Sequence, residues 1–297
     1  MTVEELFVIW LAYKKIEVKK SSISTYTRKI DTYILPVFGQ CLISDITVTM
    51  VSHFIIELME RLSSKTVIDI KTILQSALDF AFTQNYVDRK IAIPSPPHVK
   101  TEVETFNTSE QKKITDYIIG HINNRNFLIL LSLSTGMRVG ELCALKYQDI
   151  KKVCMIRHTI QRIKNLDSGE LKTCLHVGTP KSKLSLRPVP LNDSILEIFQ
   201  SIYSNDIDDC YILTNSKEYS EPRLLEKYFQ MLLKECHVPY KKFHTLRHSF
   251  ATNALRCGID IKTLAEIMGL SVKILISTYL HSDMQQKIAS MEKLQMA

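Results

Sequence analysis

The chain has seven cysteines, Cys41, Cys143, Cys154, Cys174, Cys210, Cys236 and Cys257, and no Cys-x-x-Cys pair among them. This odd, scattered set excludes a zinc ribbon and a disulfide framework and fits a reducing cytosol. No apolar run approaches the roughly 18 residues of a membrane span, so no membrane partner is expected. The opening MTVEELFVIWLAYKK starts acidic and continues in a helical apolar pattern, which excludes the layout of a secretory signal. Internal repeats and low-complexity tracts are missing too, so a stacked-repeat architecture is excluded. The expectation that remains is a soluble, cytoplasmic protein.

At 297 residues and 45% hydrophobic content, the chain can bury one large core or two medium ones. A formal net charge of +7 and a pI near 8.9 lean basic, toward nucleic acid or another polyanion. Many unrelated proteins share that lean, and on its own it decides nothing.

The stretch RKIAIPSPPHVKTEVETF, residues 89–106, divides the sequence. Pro94, Pro96 and Pro97 cannot continue a helix and favour an extended strap. The expected organisation is a helical domain over 1–93, a linker over 94–106 and a second domain over 107–297. In the first domain, apolar residues at three and four spacing predict four helices. One lies near 3–18, a second is stopped by Pro36, a third is ITVTMVSHFIIELMERL, and a fourth is capped by Ser63 or Ser64. Lys14, Lys15, Lys19, Lys20, Arg28, Lys29, Lys65 and Lys71 fall on their expected exposed faces.

In the second domain, FNTSEQKKITDYIIGHI opens a helix with Thr108 and Gln111 at capping-box spacing. NFLILLSLSTG is an apolar helix ended by Gly136. Between 153 and 191, VCMIRHTIQRI, LKTCLHVGT and SLRPVPL read as three short strands, because β-branched residues gather there. Helices return from Asn192, with a brief extended CYILT at 210–214. The fold class is mainly α with a small antiparallel sheet.

Candidate chemistry concentrates in KKFHTLRHSFATNAL, residues 241–255. His244 and His248 are four apart, on one helix face. A metalloprotease helix would need His-Glu-x-x-His; here Thr245 replaces the glutamate and Arg247 would repel a divalent ion. His248 falls in an apolar run with Leu246, Phe250, Ala251 and Leu255 and reads as a packed, hydrogen-bonded core histidine. His244 begins the helix near its positive end, and Arg247 reaches the same anion, which makes a phosphate site.

Three further stretches belong with it. LSTGMRVGELCALK places Arg138 two residues after a helix-ending glycine. HVGTPKSKLSLRPVPL reads as a hairpin whose turn carries Lys181 and Lys183, and GLSVKILISTYLH places Tyr279 near the end of the chain. In this order the four stretches resemble the tyrosine recombinase, or phage-type integrase, family. The resemblance spans the second domain from about residue 105 to the end; the first domain resembles the family's core-binding helical domain more loosely.

The resemblance implies a site-specific recombinase that cleaves and rejoins double-stranded DNA. Arg138 and Arg247 would neutralise the scissile phosphate, and Tyr279 would attack it to form a 3′-phosphotyrosyl link. Lys181, with Lys183 as runner-up, would protonate the leaving oxygen, and His244 would assist proton transfer at the tyrosine. Glu141 would buttress the arginines. No metal, ATP or other cofactor is implied. Self-association into a tetramer on paired sites, through a C-terminal tail over 284–297, is expected, with accessory DNA-bending or directionality factors as further partners. A mobile genetic element in a bacterial or phage, nucleoid-associated setting is implied. The sequence opens on the core-binding-like bundle, from which action on short sites is expected.

The pattern departs from the family at Leu270 in IMGLSVK, where a histidine or tryptophan usually donates to the phosphate. A cleavage-impaired DNA-binding protein derived from a mobile-element integrase therefore stands beside an active recombinase. A type IB topoisomerase shares the chemistry and is a third option, which the small helical first domain does not favour.

Overall fold

The computed structural model describes residues 1–97, 103–165, 173–179, 183–203 and 207–279. The chain forms two compact units, Met1–Thr101 with Arg162–Cys174, and Glu102–Gln161 with Leu175–Ala297.

The first unit is helical. Helix α1 (Val3–Glu17) begins at Thr2, whose hydroxyl accepts from the Glu5 amide while Glu5 accepts from the Thr2 amide. Helix α2 (Lys20–Lys29) runs through a π-turn, Ile30–Ile34, into α3 (Leu35–Phe38). Pro36 was expected to stop this segment and does not. Proline lacks an N–H and crowds the carbonyl one turn back. The wider π-turn, in which the Leu35 amide donates to the Ile30 carbonyl, lets the helix continue through it. Helices α4 (Val48–Arg61) and α5 (Ser64–Thr83) are capped by Thr47 and Ser63. Trp10, Phe7, Phe38, Phe54, Val67 and Ile70 are buried between the helices.

Residues 91–97 lie along α5. The Gln75 amide donates to the Ile91 carbonyl at 2.7 Å and accepts from the Ile93 amide at 2.8 Å, and the Ser64 hydroxyl donates to the Pro97 carbonyl at 2.6 Å. Lys29, expected on an exposed face, is buried instead and pairs with Asp69 at 2.7 Å. Its aliphatic stem packs inside while the ammonium reaches a carboxylate at the edge.

The second unit begins with α6 (Thr108–Gly120), α7 (Asn124–Thr135) and the short α8 (Val139–Leu142). The α6 capping box is Asn107 with Glu110, one residue earlier than Thr108 and Gln111. Residues 127–131 of α7 are all buried, so this helix runs through the core rather than along its edge. Strands β1 (Val153–Ile156), β2 (Thr159–Lys164), β3 (Thr173–Gly178) and β4 (Arg187–Pro190) follow along the chain, residues 162–164 and 173–174 being counted in the first unit. VCMIRHTIQRI is thus two strands with a break at Arg157–His158. Strand β4 pairs antiparallel with β1, from Val153 opposite Pro190 to Ile156 opposite Arg187, and β2 pairs with β3.

Residues 176–191 are therefore not a hairpin, as the sequence reading had them: the two flanks of the Lys181 segment join different sheets. CYILT makes only isolated bridges, from Tyr211 to Lys146 and Ser216. Helices α9 (Asp193–Gln200), α10 (Pro222–Glu235), α11 (His244–Arg256), α12 (Ile261–Met268) and α13 (Val272–Tyr279) complete the unit. Helix α11 packs on α7 and on α12, which brings their ends together. Among the described residues no helix is long and apolar enough to cross a membrane.

Candidate active site

Two helix ends build the centre. Helix α7 ends at Gly136 and α12 at Gly269, both left-handed, at φ 67° and 62°. A side chain there would be strained and would collide: a Cβ on Gly136 would lie 2.6 Å from the Phe250 ring, and one on Gly269 2.9 Å from the Leu184 carbonyl oxygen. The two ends turn carbonyl oxygens inward, where they carry the negative end of each helix.

Arg247, in the first turns of α11, takes up these carbonyls. Its guanidinium donates to the Gly136 carbonyl at 2.5 Å and to the Met268 carbonyl at 2.6 Å, and the residue is 2% exposed. Arg138 precedes α8 and donates to the neighbouring Gly269 carbonyl at 3.3 Å. Its side chain is 32% exposed. Adjacent carbonyls thus anchor both guanidiniums side by side. Burial, then the charge of Arg138, lowers the Arg247 pKa to about 9, which leaves it cationic at neutral pH.

Glu141 balances this charge. It accepts from the Arg138 guanidinium at 2.7 Å and from the Arg138 backbone amide at 2.9 Å. Its other partner is Arg187, a buried residue on β4 that donates to both carboxylate oxygens at 3.0 and 2.9 Å and to the Ile267 carbonyl at 2.6 Å. Burial works to raise the Glu141 pKa, but the bonds and charge of Arg187, with those of Arg138, outweigh it and hold the carboxyl low. In the sequence Arg187 is only one residue of a short strand. The signal was its position: an arginine on an inward-facing register of a strand has to find a buried anion.

His244 opens α11, and its ring meets that of His248 edge-on at 4.7 Å. The residue as a whole is exposed. Partial desolvation of its ring, then the charges of His248, Arg247 and Arg138, still lower its pKa to about 4. Because this lies below the ordinary value of 6.5, the group contributes stability that is present above pH 6.5 and lost as pH falls toward 4. An anion between the arginines offsets their charge. The His244 resonance is therefore expected to titrate near pH 4 in the free protein and to move upward when sulfate is added. A midpoint near 6.5 that ignores sulfate would contradict the cationic surroundings.

Tyr279 ends α13 and packs against the small cluster of Ala251, Ala254, Leu264, Ala265, Met268 and Leu275. Burial raises its pKa, opposed by the charges of Arg247 and Arg138, so the phenol lies within the field of both guanidiniums. Its hydroxyl is 2.6 Å from the His248 Nδ1. His248 therefore does more than pack: it faces the tyrosine, and the apolar run around it hid that contact. Leu270 lies on the same cluster and presents an aliphatic side chain.

Arg138, His244, Arg247 and Tyr279 thus come together within the second unit, with Glu141, Arg187 and His248 around them. Lys181 and the tail over 284–297 lie outside the described residues. A short turn at Lys183–Ser185 brings the Leu184 carbonyl against Gly269, three residues from position 181. No cluster of His, Cys, Asp and Glu among the described residues could hold a metal ion.

The chain has known relatives. The model of the phage integrase family matches residues 100–286, and that of the phage integrase N-terminal SAM-like domain matches residues 2–59. A tyrosine recombinase XerC-like protein of Caldanaerobacter subterraneus subsp. tengcongensis is 32% identical over 260 residues, covering 78% of this chain and 66% of that protein. The ICEBs1 integrase of Bacillus subtilis is 26% identical over 291 residues, covering 93% and 78%. The Tn1549 transposon integrase, solved in complex with transposon right end DNA, superposes with a TM-score of 0.81 at 20% identity over 99% of this chain and 100% of that one, a likeness of fold. The chain spans about two thirds of the length of the XerC-like relative. The match over most of the second unit and the start of the first shows that the chain belongs to the phage integrase family of tyrosine recombinases.

Proposed function

We propose that the protein is a site-specific DNA recombinase that cleaves and rejoins strands through a 3′-phosphotyrosyl intermediate. The observation that carries this reading is the pair of guanidiniums anchored on adjacent carbonyls, with the Tyr279 hydroxyl held 2.6 Å from His248, the residue after Arg247. An incoming phosphodiester meets the more open Arg138 first and is completed by Arg247. Two cations held in place before the anion arrives stabilise the charge that grows on the non-bridging oxygens without reorganisation. The Tyr279 oxygen attacks phosphorus, the bond to the 5′ oxygen breaks, and a proton from Lys181 goes to that oxygen. His244, which opens the helix that carries Arg247, assists proton transfer at the tyrosine. The exchange conserves the phosphodiester bond energy, so the reading includes no cofactor. It extends to a tetramer on paired DNA sites linked by residues 284–297, to accessory factors, and to a mobile element acting in the cytoplasm on nucleoid DNA.

A second reading, a DNA-binding protein with impaired cleavage, rests on Leu270. An aliphatic side chain cannot donate to the phosphate, and one missing donor costs about 10²–10³ in rate. One experiment separates the two. Nicked duplexes tiled across the DNA flanking the gene are incubated with the protein, and the covalent adduct is mapped by peptide mass. An adduct on the peptide holding Tyr279, enhanced about tenfold or more in Leu270→His, is the expected result. Tight binding with no adduct from either protein would favour the second reading.

A further inference from the structure

We propose that His248, one helical turn after His244, is the positioning residue and proton acceptor for the Tyr279 hydroxyl. The proposal rests on the reading of Tyr279 as nucleophile and assigns the proton that this reading must remove.

The geometry is direct. The His248 Nδ1 lies 2.6 Å from the Tyr279 oxygen, at the short end of hydrogen-bond distances, and the ring centroids are 5.5 Å apart. His248 is half-buried, and the His244 ring meets it edge-on with the centroids 4.7 Å apart. It follows Arg247, whose guanidinium is pinned to two helix ends, so the backbone that carries the imidazole is fixed as well. Tyr279 in turn is held by the cluster that includes Leu264, Met268 and Leu275. Two rigid helices thus meet at one proton, which is the placement that proton transfer requires. His244 makes ring contact with His248 and not with the phenol.

The step balances as follows. With its own proton on Nε2, His248 accepts the phenolic proton at Nδ1 while the Tyr279 oxygen bonds to phosphorus and the bond to the 5′ oxygen breaks. The leaving oxygen takes its proton from the acid assigned above. On rejoining, the 5′ hydroxyl attacks, the phosphotyrosyl bond breaks, and His248 returns the proton to the phenol. A bound phosphate favours this transfer: its charge offsets that of Arg247, which otherwise opposes an imidazolium beside it.

Two measurements on the full chain test the assignment. The first needs no DNA: nitrogen NMR of the histidine rings reads the tautomer. The proton is expected on Nε2 of His248, with the Nδ1 resonance moving in Tyr279→Phe. A proton on Nδ1 would make His248 the donor and overturn the proposal. The second is the single-turnover rate of adduct formation on the nicked duplexes. His248→Leu is expected to slow it about 10²-fold or more, with DNA affinity unchanged. His248→Asn, which keeps a polar group at the Nδ1 position, is expected to fall between the two. Replacing Tyr279 by a fluorotyrosine, whose phenol is more acidic, should raise the rate of His248→Leu by at least about tenfold more than it changes the rate of the parent. A loss that fluorotyrosine does not recover, or no loss at all, overturns the proton role. An adduct that survives Tyr279→Phe would sink the nucleophile reading itself, a separate result.

Discussion

Replacing Arg247 with lysine is expected to slow covalent adduct formation by about 10²–10³, although the charge is kept. The reason is what holds the side chain. Its two terminal nitrogens span carbonyls at the ends of α7 and α12, and the fork fixes the plane of the group. A guanidinium has five N–H donors, so two such bonds leave others for a phosphate. A lysine ammonium is a point donor at the end of a flexible stem and cannot bridge both helix ends and an oxyanion. Arg247→Ala is expected to lose more, because two helix-end carbonyls at a 2% exposed position would have no donor. Single-turnover kinetics on the nicked duplexes, read beside thermal melting, distinguish lost chemistry from lost fold. DNA affinity should change little in Arg247→Lys, since a duplex-binding protein spreads its phosphate contacts over many residues. A lysine variant within about fivefold of the parent rate would refute the clamp as the main source of charge stabilisation.

Some of this site was legible in the sequence and some was not, for physical reasons. Helix ends carry local signals, so the glycine that ends α7 could be placed, and with it the arginine two residues on. The cap of α5 resolved to Ser63, and that of α6 shifted by one residue to Asn107. Strand pairing has no such local signal. Residues 176–191 contain two strands with a turn between them, and only the three-dimensional register sends β3 to β2 and β4 to β1. Arg187 was missed for the same reason: its meaning lies in Glu141, 46 residues away. The hydrogen bond expected of His248 forms, but its partner is not legible, because an apolar neighbourhood is the same in sequence whether a histidine bonds within the core or faces a tyrosine hydroxyl. Pro36 shows the reverse, a strong local signal overruled by the π-turn that precedes it.

Substituting Glu141 is expected to have the largest effect on stability, because it holds two arginines of different standing. Arg187 and Glu141 are 3% and 2% exposed. Removing one partner of a buried ion pair leaves the other charge uncompensated and typically costs about 3–5 kcal/mol. For a unit of this size that corresponds to a melting temperature lower by roughly 6–20 °C in Glu141→Gln. Arg187→Met should cost less, because Glu141 would keep Arg138 as a partner at 2.7 Å and the Arg138 amide at 2.9 Å. The order of the two variants therefore tests the network rather than the bulk of either side chain. Acid titration gives an independent check. A carboxyl held below its ordinary value of 4.5 contributes stability that is present above that value and lost as pH falls through the lowered one. Glu141→Gln should remove this acid-dependent part, so the variant's deficit begins to shrink as pH drops below 4.5 and is gone once pH has fallen through the lowered value, where the folded parent protonates Glu141 and loses the same pair. A deficit that stays constant with pH, or Arg187→Met melting below Glu141→Gln, would mean that packing around β4 matters here more than the charge that Glu141 shares between the two arginines.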